Sequence, residues 1–83
     1  MFPAEVSIQK DPKMLEQSRA EAEFVSSQRE AGRIRAIYLS PDKTLSWHVI
    51  DVENEDAATA LLKRYPYAPW FCVRTIQRVT VVP

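Results

Sequence analysis

The stretch from Ser46 to Phe71 reads SWHVIDVENEDAATALLKRYPYAPWF, and its punctuation decides the fold. Ser46 to Val52 is rich in β-branched and aromatic residues, as a strand would be. Asn54 is a good N-cap, and Glu55 and Asp56 complement the positive end of the helix that it starts. Ala58, Leu61, Leu62 and Tyr65 fall on one face of that helix, with Lys63 and Arg64 at its negative end. Tyr65-Pro66 stops it, because the residue before a proline is pushed out of helical geometry. Pro69 is then expected to keep Pro66 to Trp70 extended, and Phe71 to Val82 forms a last β-branched strand. The only His and both Trp residues of the chain lie in this one stretch.

Working back towards the start, Thr44 to Val52 and Arg33 to Ser40 are two strand-like runs joined by Pro41-Asp42-Lys43. Pro and Asp favour a type I turn, so the pair reads as a hairpin. A register with Tyr38 opposite Trp47 puts Ile34, Ala36 and Tyr38 on one face with Trp47, Val49 and Asp51. The other face carries Arg35, Ile37 and Leu39 with Ser46, His48 and Ile50. Both faces are largely apolar, whereas a half-solvated antiparallel sheet alternates cleanly. Helices cover one side, and a second subunit is the economical cover for the other.

Before the hairpin, Asp11-Pro12 starts a helix expected to run through Lys13 to Ala31. Met14, Leu15, Ala22 and Val25 trace its apolar stripe, with Phe24 beside it, and Gly32 supplies the left-handed residue at its end. Phe2 to Ile8 alternates as a first strand, Phe2, Ala4, Val6 and Ile8 pointing one way. The order is β-α-β-β-α-β in one domain spanning residues 1–83, an α+β ferredoxin-like arrangement.

Composition narrows the function classes. A chain of 83 residues buries only about 60% of its unfolded surface, which makes homo-oligomerisation a natural support. Eleven Lys plus Arg balance eleven Asp plus Glu, so no global field points to nucleic acid or an acidic membrane surface. No apolar run approaches spanning length, and Met1 to Glu5 has neither the basic nor the apolar region of a secretion signal. One Cys and one His cannot supply an ordinary structural zinc site, and the single Cys72 rules out an internal disulfide. A cytoplasmic setting is the expectation.

Three segments together carry a family resemblance. REAGR at Arg29–Arg33, WHVIDVENED at Trp47–Asp56 and LLKRYPYAPW at Leu61–Trp70 resemble the muconolactone delta-isomerase family, a similarity that spans Glu16 to Val79. The resemblance implies a ferredoxin-like protomer whose sheet pairs with a partner's in a dimeric α+β barrel. It also implies a double-bond shift in a small unsaturated lactone during aromatic-compound catabolism, with no metal and no organic cofactor. A non-catalytic homo-oligomeric module of the same fold, binding a small ligand or a protein, is the alternative expectation. His48 stands where the family commonly has Ser.

Such a shift requires proton removal beside a carbonyl and proton return at a remote carbon. His48 is the natural shuttle, its ordinary pKa lying near neutrality; the alternative is a strand histidine hydrogen-bonded at a subunit seam. Glu21 is a second candidate base if it points at the sheet, and otherwise belongs to a solvated helix face. Tyr38 and Trp47 either line an apolar pocket or pack as core. Arg35 and Arg74 either receive a substrate carboxylate, pair with Asp51 or Glu53, or are simply exposed at the sheet edge. Tyr67 and Trp70 either close over a ligand or anchor a partner subunit, and Cys72 reads as a small core residue.

Overall fold

The computed structural model describes residues 1–80 and 82 of the chain. Strand β1 (Phe2–Ile8) is followed by a short helix α1 (Pro12–Leu15) and a longer helix α2 (Ser18–Glu30). The hairpin strands β2 (Ile34–Leu39) and β3 (Leu45–Ile50) come next, then helix α3 (Glu55–Arg64). A 3₁₀ turn at Ala68–Trp70 leads directly into β4 (Phe71–Ile76). The four strands form one sheet in the order β2-β3-β1-β4, with every neighbouring pair antiparallel. This is the ferredoxin-like α+β fold that the element order implies. Among the described residues, no helix is long and apolar enough to cross a membrane.

The caps form where the sequence places them. The Asp11 carboxylate accepts the Lys13 N–H, with Pro12 at the first helical position. The Asn54 side chain accepts the Ala57 N–H at 2.8 Å. Gly32 adopts φ +76°, and the Arg33 and Gly32 N–H groups return to the carbonyls of Gln28 and Arg29 at 3.0 Å each. That is the double bond of a Schellman ending. In the hairpin turn, the Lys43 N–H bonds the Ser40 carbonyl, and Lys43 takes a left-handed φ of 61°. The Asp42 carboxylate accepts from the Ser40 hydroxyl and from both the N–H and hydroxyl of Thr44. These bonds to its charged form pull the Asp42 carboxyl down to about 2.

Several expectations need correction. The helix from Pro12 to Ala31 is broken at Glu16-Gln17. Met14, Glu16 and Gln17 donate to carbonyls only three residues back, which winds the first turn tighter than an α-helix. The face turned inward is Met14, Glu21, Phe24, Val25 and Gln28, a helical spacing that includes two polar residues, while Ala22 is exposed and Leu15 is 65% exposed. Tyr38 does pair with Trp47, but a bulge at Arg35 brings Ile34 opposite Ile50. Ile34 thus joins the helix-facing side and Arg35 leaves it.

Pro66 to Trp70 is not extended, since Ala68 and Trp70 donate to the carbonyls of Tyr65 and Tyr67 to close the 3₁₀ turn. The last strand ends at Ile76 rather than Val82; Gln77 and Val79 then bond the Pro3 and Met1 carbonyls singly. Val81, part of the expected strand, lies outside the described residues. Cys72 is exposed and not a core residue, because its register opposite Ser7 places it on the side away from the helices.

The core lies between the helices and one sheet face. It contains Phe2, Ala4 and Val6 of β1, Ile34, Ile50, and Ala58, Leu61, Leu62 and Tyr65. Tyr65, Ile50, Leu62 and Val6 are the largest fully buried side chains, and each of the three aliphatic ones contributes about 1.5–3 kcal/mol of burial.

Candidate active site

Strand alternation sends Ser46, His48 and Ile50 of β3 toward the helices. His48 is only 2% exposed and sits on this inner face opposite Ala4 of β1 and Ile37 of β2. Its Nε2 lies 2.7 Å from the Ser46 hydroxyl, and its Nδ1 lies 3.1 Å from the Tyr65 hydroxyl. Both ring nitrogens are therefore bonded, one hydroxyl on each side. Tyr65 reaches the imidazole because the extended residue at the end of α3 turns its ring under the sheet.

Aromatic rings complete the surroundings. Tyr65 stands edge-on to His48 at 5.1 Å between centroids, and Phe71 lies 5.7 Å away on another side. Phe24 of α2 packs on Tyr65 at 5.1 Å, with the Arg64 guanidinium 5.6 Å from its ring centre. In so apolar a setting the charged imidazolium is disfavoured, and burial pulls the His48 pKa down to about 4. The imidazole is neutral at pH 7. Burial likewise pushes the Tyr65 phenol well above its ordinary value, with the Glu21 carboxylate adding to the rise and Arg29 opposing it.

Glu21 faces this cluster and not solvent. It is half-buried, and its Oε1 accepts the Tyr67 N–H at 3.2 Å. Burial raises its pKa, while the bond from Tyr67 acts in the opposite direction. The Tyr67 phenol is raised too, by burial first and then by Glu21. The arrangement brings together a neutral imidazole, two hydroxyls and a carboxylate close to Tyr65. It can move a proton: a hydroxyl can pass its own to the imidazole while accepting another from a bound molecule.

The other sequence candidates are placed elsewhere. Tyr38 is 61% exposed on the outer face, and Trp47 beside it donates Nε1–H to Glu5 at 3.1 Å. They line no pocket with His48. Arg35 gives Nε and Nη2 to one Asp51 oxygen at 3.0 and 2.8 Å, the ion pair that its sequence neighbourhood allows. Arg74 approaches Glu5 at 3.6 Å, also on the outer face. Neither arginine reaches His48. Trp70 donates Nε1–H to Asp11 at 3.2 Å and its carbonyl accepts the Gln9 N–H, so it pins the loop to the β1–α1 connection. Tyr67 stands edge-on to Phe71 at 6.4 Å, at the border of the cluster.

Ser46, Tyr65, Phe71 and Phe24 belong to the site, and the sequence marks none of them as a site residue. Ser46 shares the period-two face of His48, and that was the available signal. Tyr65 reads from the sequence as one more residue of a core stripe, because nothing local tells a buried tyrosine that its hydroxyl has a partner. No group of three or more His, Cys, Asp or Glu among the described residues is placed to hold a metal ion.

The fold and this inward-facing cluster define the protein as a small ferredoxin-like α+β domain with a buried hydrogen-bonded histidine. No family model matches the sequence, and no curated protein matches it. Among solved structures, the chain is similar to 5-chloro-2-hydroxyhydroquinone dehydrochlorinase from Burkholderia phenoliruptrix, in complex with 2,5-dihydroxybenzoquinone. The TM-score is 0.71 at 13% sequence identity, over 96% of this chain and 94% of that one. The likeness is one of fold, over nearly the whole length of both chains.

Proposed function

We propose that the protein catalyses cofactor-free proton transfer on a small unsaturated, oxygenated ring compound. The specific form proposed is a double-bond shift like that of muconolactone delta-isomerase, carried out by a homodimer in aromatic-compound catabolism. The observation that carries this reading is the neutral, buried His48 held between the Ser46 and Tyr65 hydroxyls, with Glu21 nearby. The similar fold of an enzyme solved with a dihydroxybenzoquinone supports a flat oxygenated ring as the substrate class.

Because both imidazole nitrogens are bonded, a proton reaches His48 only through one of those hydroxyls or after one is displaced. Tyr65 is the better relay, since its phenol is the more acidic of the two. It takes the proton from the carbon beside the carbonyl while giving its own to Nδ1, and the imidazolium so formed, disfavoured by burial, is driven to return a proton to the remote carbon by the reverse transfer. Atoms balance, because an isomerisation returns the proton it removes.

The test is ultraviolet-monitored isomerisation of muconolactone by the wild type, His48→Ala and Tyr65→Phe. Loss of turnover in both variants, with the oligomer intact, is expected. Full activity in His48→Ala would remove the role assigned to the imidazole.

A second reading is favoured by one specific feature: the hydrogen-bonding capacity of His48 is already used within the chain. A non-catalytic module that binds a ligand or partner would need that histidine only for packing. It predicts no turnover with any lactone, and weakened assembly or binding in Trp70→Ala.

A further inference from the structure

Phe71 has two sides. One is turned to the cluster, with ring centroids 5.7 Å from His48, 5.6 Å from Tyr65 and 6.4 Å from Tyr67. The other helps to line a cavity of about 180 Å³, together with Thr59, Leu62 and Lys63 of α3, Ala68, and Val73 of β4. One aromatic ring thus borders both that cavity and the imidazole. The larger cavity, about 350 Å³ and lined by Lys10, Asp11, Pro12, Met14, Leu15 and Lys43, includes no residue of the cluster.

The size of the smaller cavity selects its occupant. An apolar cavity of about 150 Å³ holds one benzene molecule, so this one holds a single five- or six-membered ring with a short substituent. Leu62, Ala68, Phe71 and Val73 offer apolar surface to the ring. Thr59 and Lys63 stand four residues apart on α3, hence on the same helix face, and both line the cavity. They supply a hydroxyl and an ammonium. Lys63 is exposed and takes part in no ion pair among the described residues, so its charge is available to a carboxylate.

We infer that this cavity is a subsite for a single-ring monocarboxylate, with Lys63 pairing the carboxylate and Phe71 as the wall that the bound ring shares with the His48 cluster. The binding part stands on the cavity and Lys63 alone; the link to chemistry rests on the proton-transfer reading. Substrate selection is then set at α3, away from Arg35 and Arg74.

The experiment is a nuclear magnetic resonance titration with benzoate as probe and neutral benzyl alcohol as control. Benzoate is expected to shift the Thr59, Ala68 and Val73 methyl signals, and Lys63→Gln to weaken it by about fivefold, the worth of one exposed ion pair. Benzyl alcohol should change little in that variant. In Phe71→Ala, the benzoate-induced shifts should spread to the His48 ring protons. Shifts confined to Met14 and Leu15, or benzoate affinity unchanged in Lys63→Gln, would overturn the subsite. Lactone turnover measured beside the titration separates the two claims. Lys63-dependent binding without lactone turnover in the wild type keeps the subsite and removes the chemistry. Turnover with a KM unaffected by Lys63→Gln keeps the chemistry and removes the subsite.

Discussion

The two sides of strand β3 invert the usual rule for a sheet. Ser46 and His48, both polar, are buried beneath the helices, while Leu45, Trp47 and Val49, all apolar, face away from them and stay partly open. Polar groups on the inner side are acceptable because each finds a partner within the same chain, and no buried side-chain nitrogen or oxygen among the described residues lacks one. Apolar groups on the outer side have no such completion. Their polar neighbours are engaged sideways instead, Trp47 and Arg74 to Glu5 and Arg35 to Asp51. The inner side is finished by the chain's own hydroxyls, and the outer side asks for another surface. The proposed chemistry belongs to the first and the proposed dimer to the second.

The largest expected effect tests the inner side by pH. An unfolded His48 takes up a proton near pH 6.5, whereas the folded one does so only near 4. Between those values the unfolded chain binds the additional proton. Stability that is fully present above pH 6.5 is therefore lost as the pH falls toward 4, by about 3 kcal/mol from this group. Glu21 has the opposite sign. Its raised pKa gives a contribution present below its ordinary value of 4.5 and lost as the pH rises through its folded pKa, so it partly offsets His48. Urea unfolding of the wild type and His48→Gln at pH 7.5, 6, 5 and 4.5 reads the difference. The variant should show a distinctly flatter decline, and Glu21→Gln a steeper one. Equal slopes in the wild type and His48→Gln would mean that the imidazole is not held neutral by burial.

The next effect tests the outer side. Val49 lies between Pro3 of β1 and Ala36 of β2, at the centre of the face that the helices leave uncovered. If a second copy covers it, Val49→Lys buries a charge without a partner and should weaken the dimer by roughly 30-fold or more, the scale of an interface hot spot. Sedimentation at micromolar concentration is the measurement, with circular dichroism to show the protomer still folded. A monomeric wild type at that concentration would break the contrast between the two faces.

What the sequence made legible follows the same divide. Local chemistry was readable: Asp11-Pro12, Asn54 and Gly32 mark helix ends, and Pro41-Asp42 fixes the turn that sets Tyr38 against Trp47. Accumulated phase was not. No glycine marks the bulge at Arg35, so alternation counted through it sends Ile34 to the wrong face. Likewise, a stripe drawn by apolarity through Leu15 and Ala22 exposes Glu21 and buries Leu15, the reverse of what is found, because the inward face carries the polar Glu21 and Gln28. His48 stood out because it is unique. Its partner Tyr65 lies 17 residues away and meets it only through packing, and no local pattern encodes that meeting.

Arg35 gives the smallest effect and the sharpest check on where the boundary between the faces runs. The bulge moves it from the inner face, where a guanidinium would need a strong partner, to an edge where Asp51 meets it in solvent. An ion pair of this kind is worth under about 1 kcal/mol, because water screens both charges in the folded and unfolded chain alike. Arg35→Ala should therefore lower unfolding stability by no more than that, and sodium chloride at molar concentration should reduce the wild-type advantage further. Lactone turnover, if the proton-transfer reading holds, should stay within about twofold, since the side chain does not approach His48. A loss of several kcal/mol would place Arg35 inside after all. It would also remove the bulge, and the inner face would then have to be redrawn with a cation beside the imidazole.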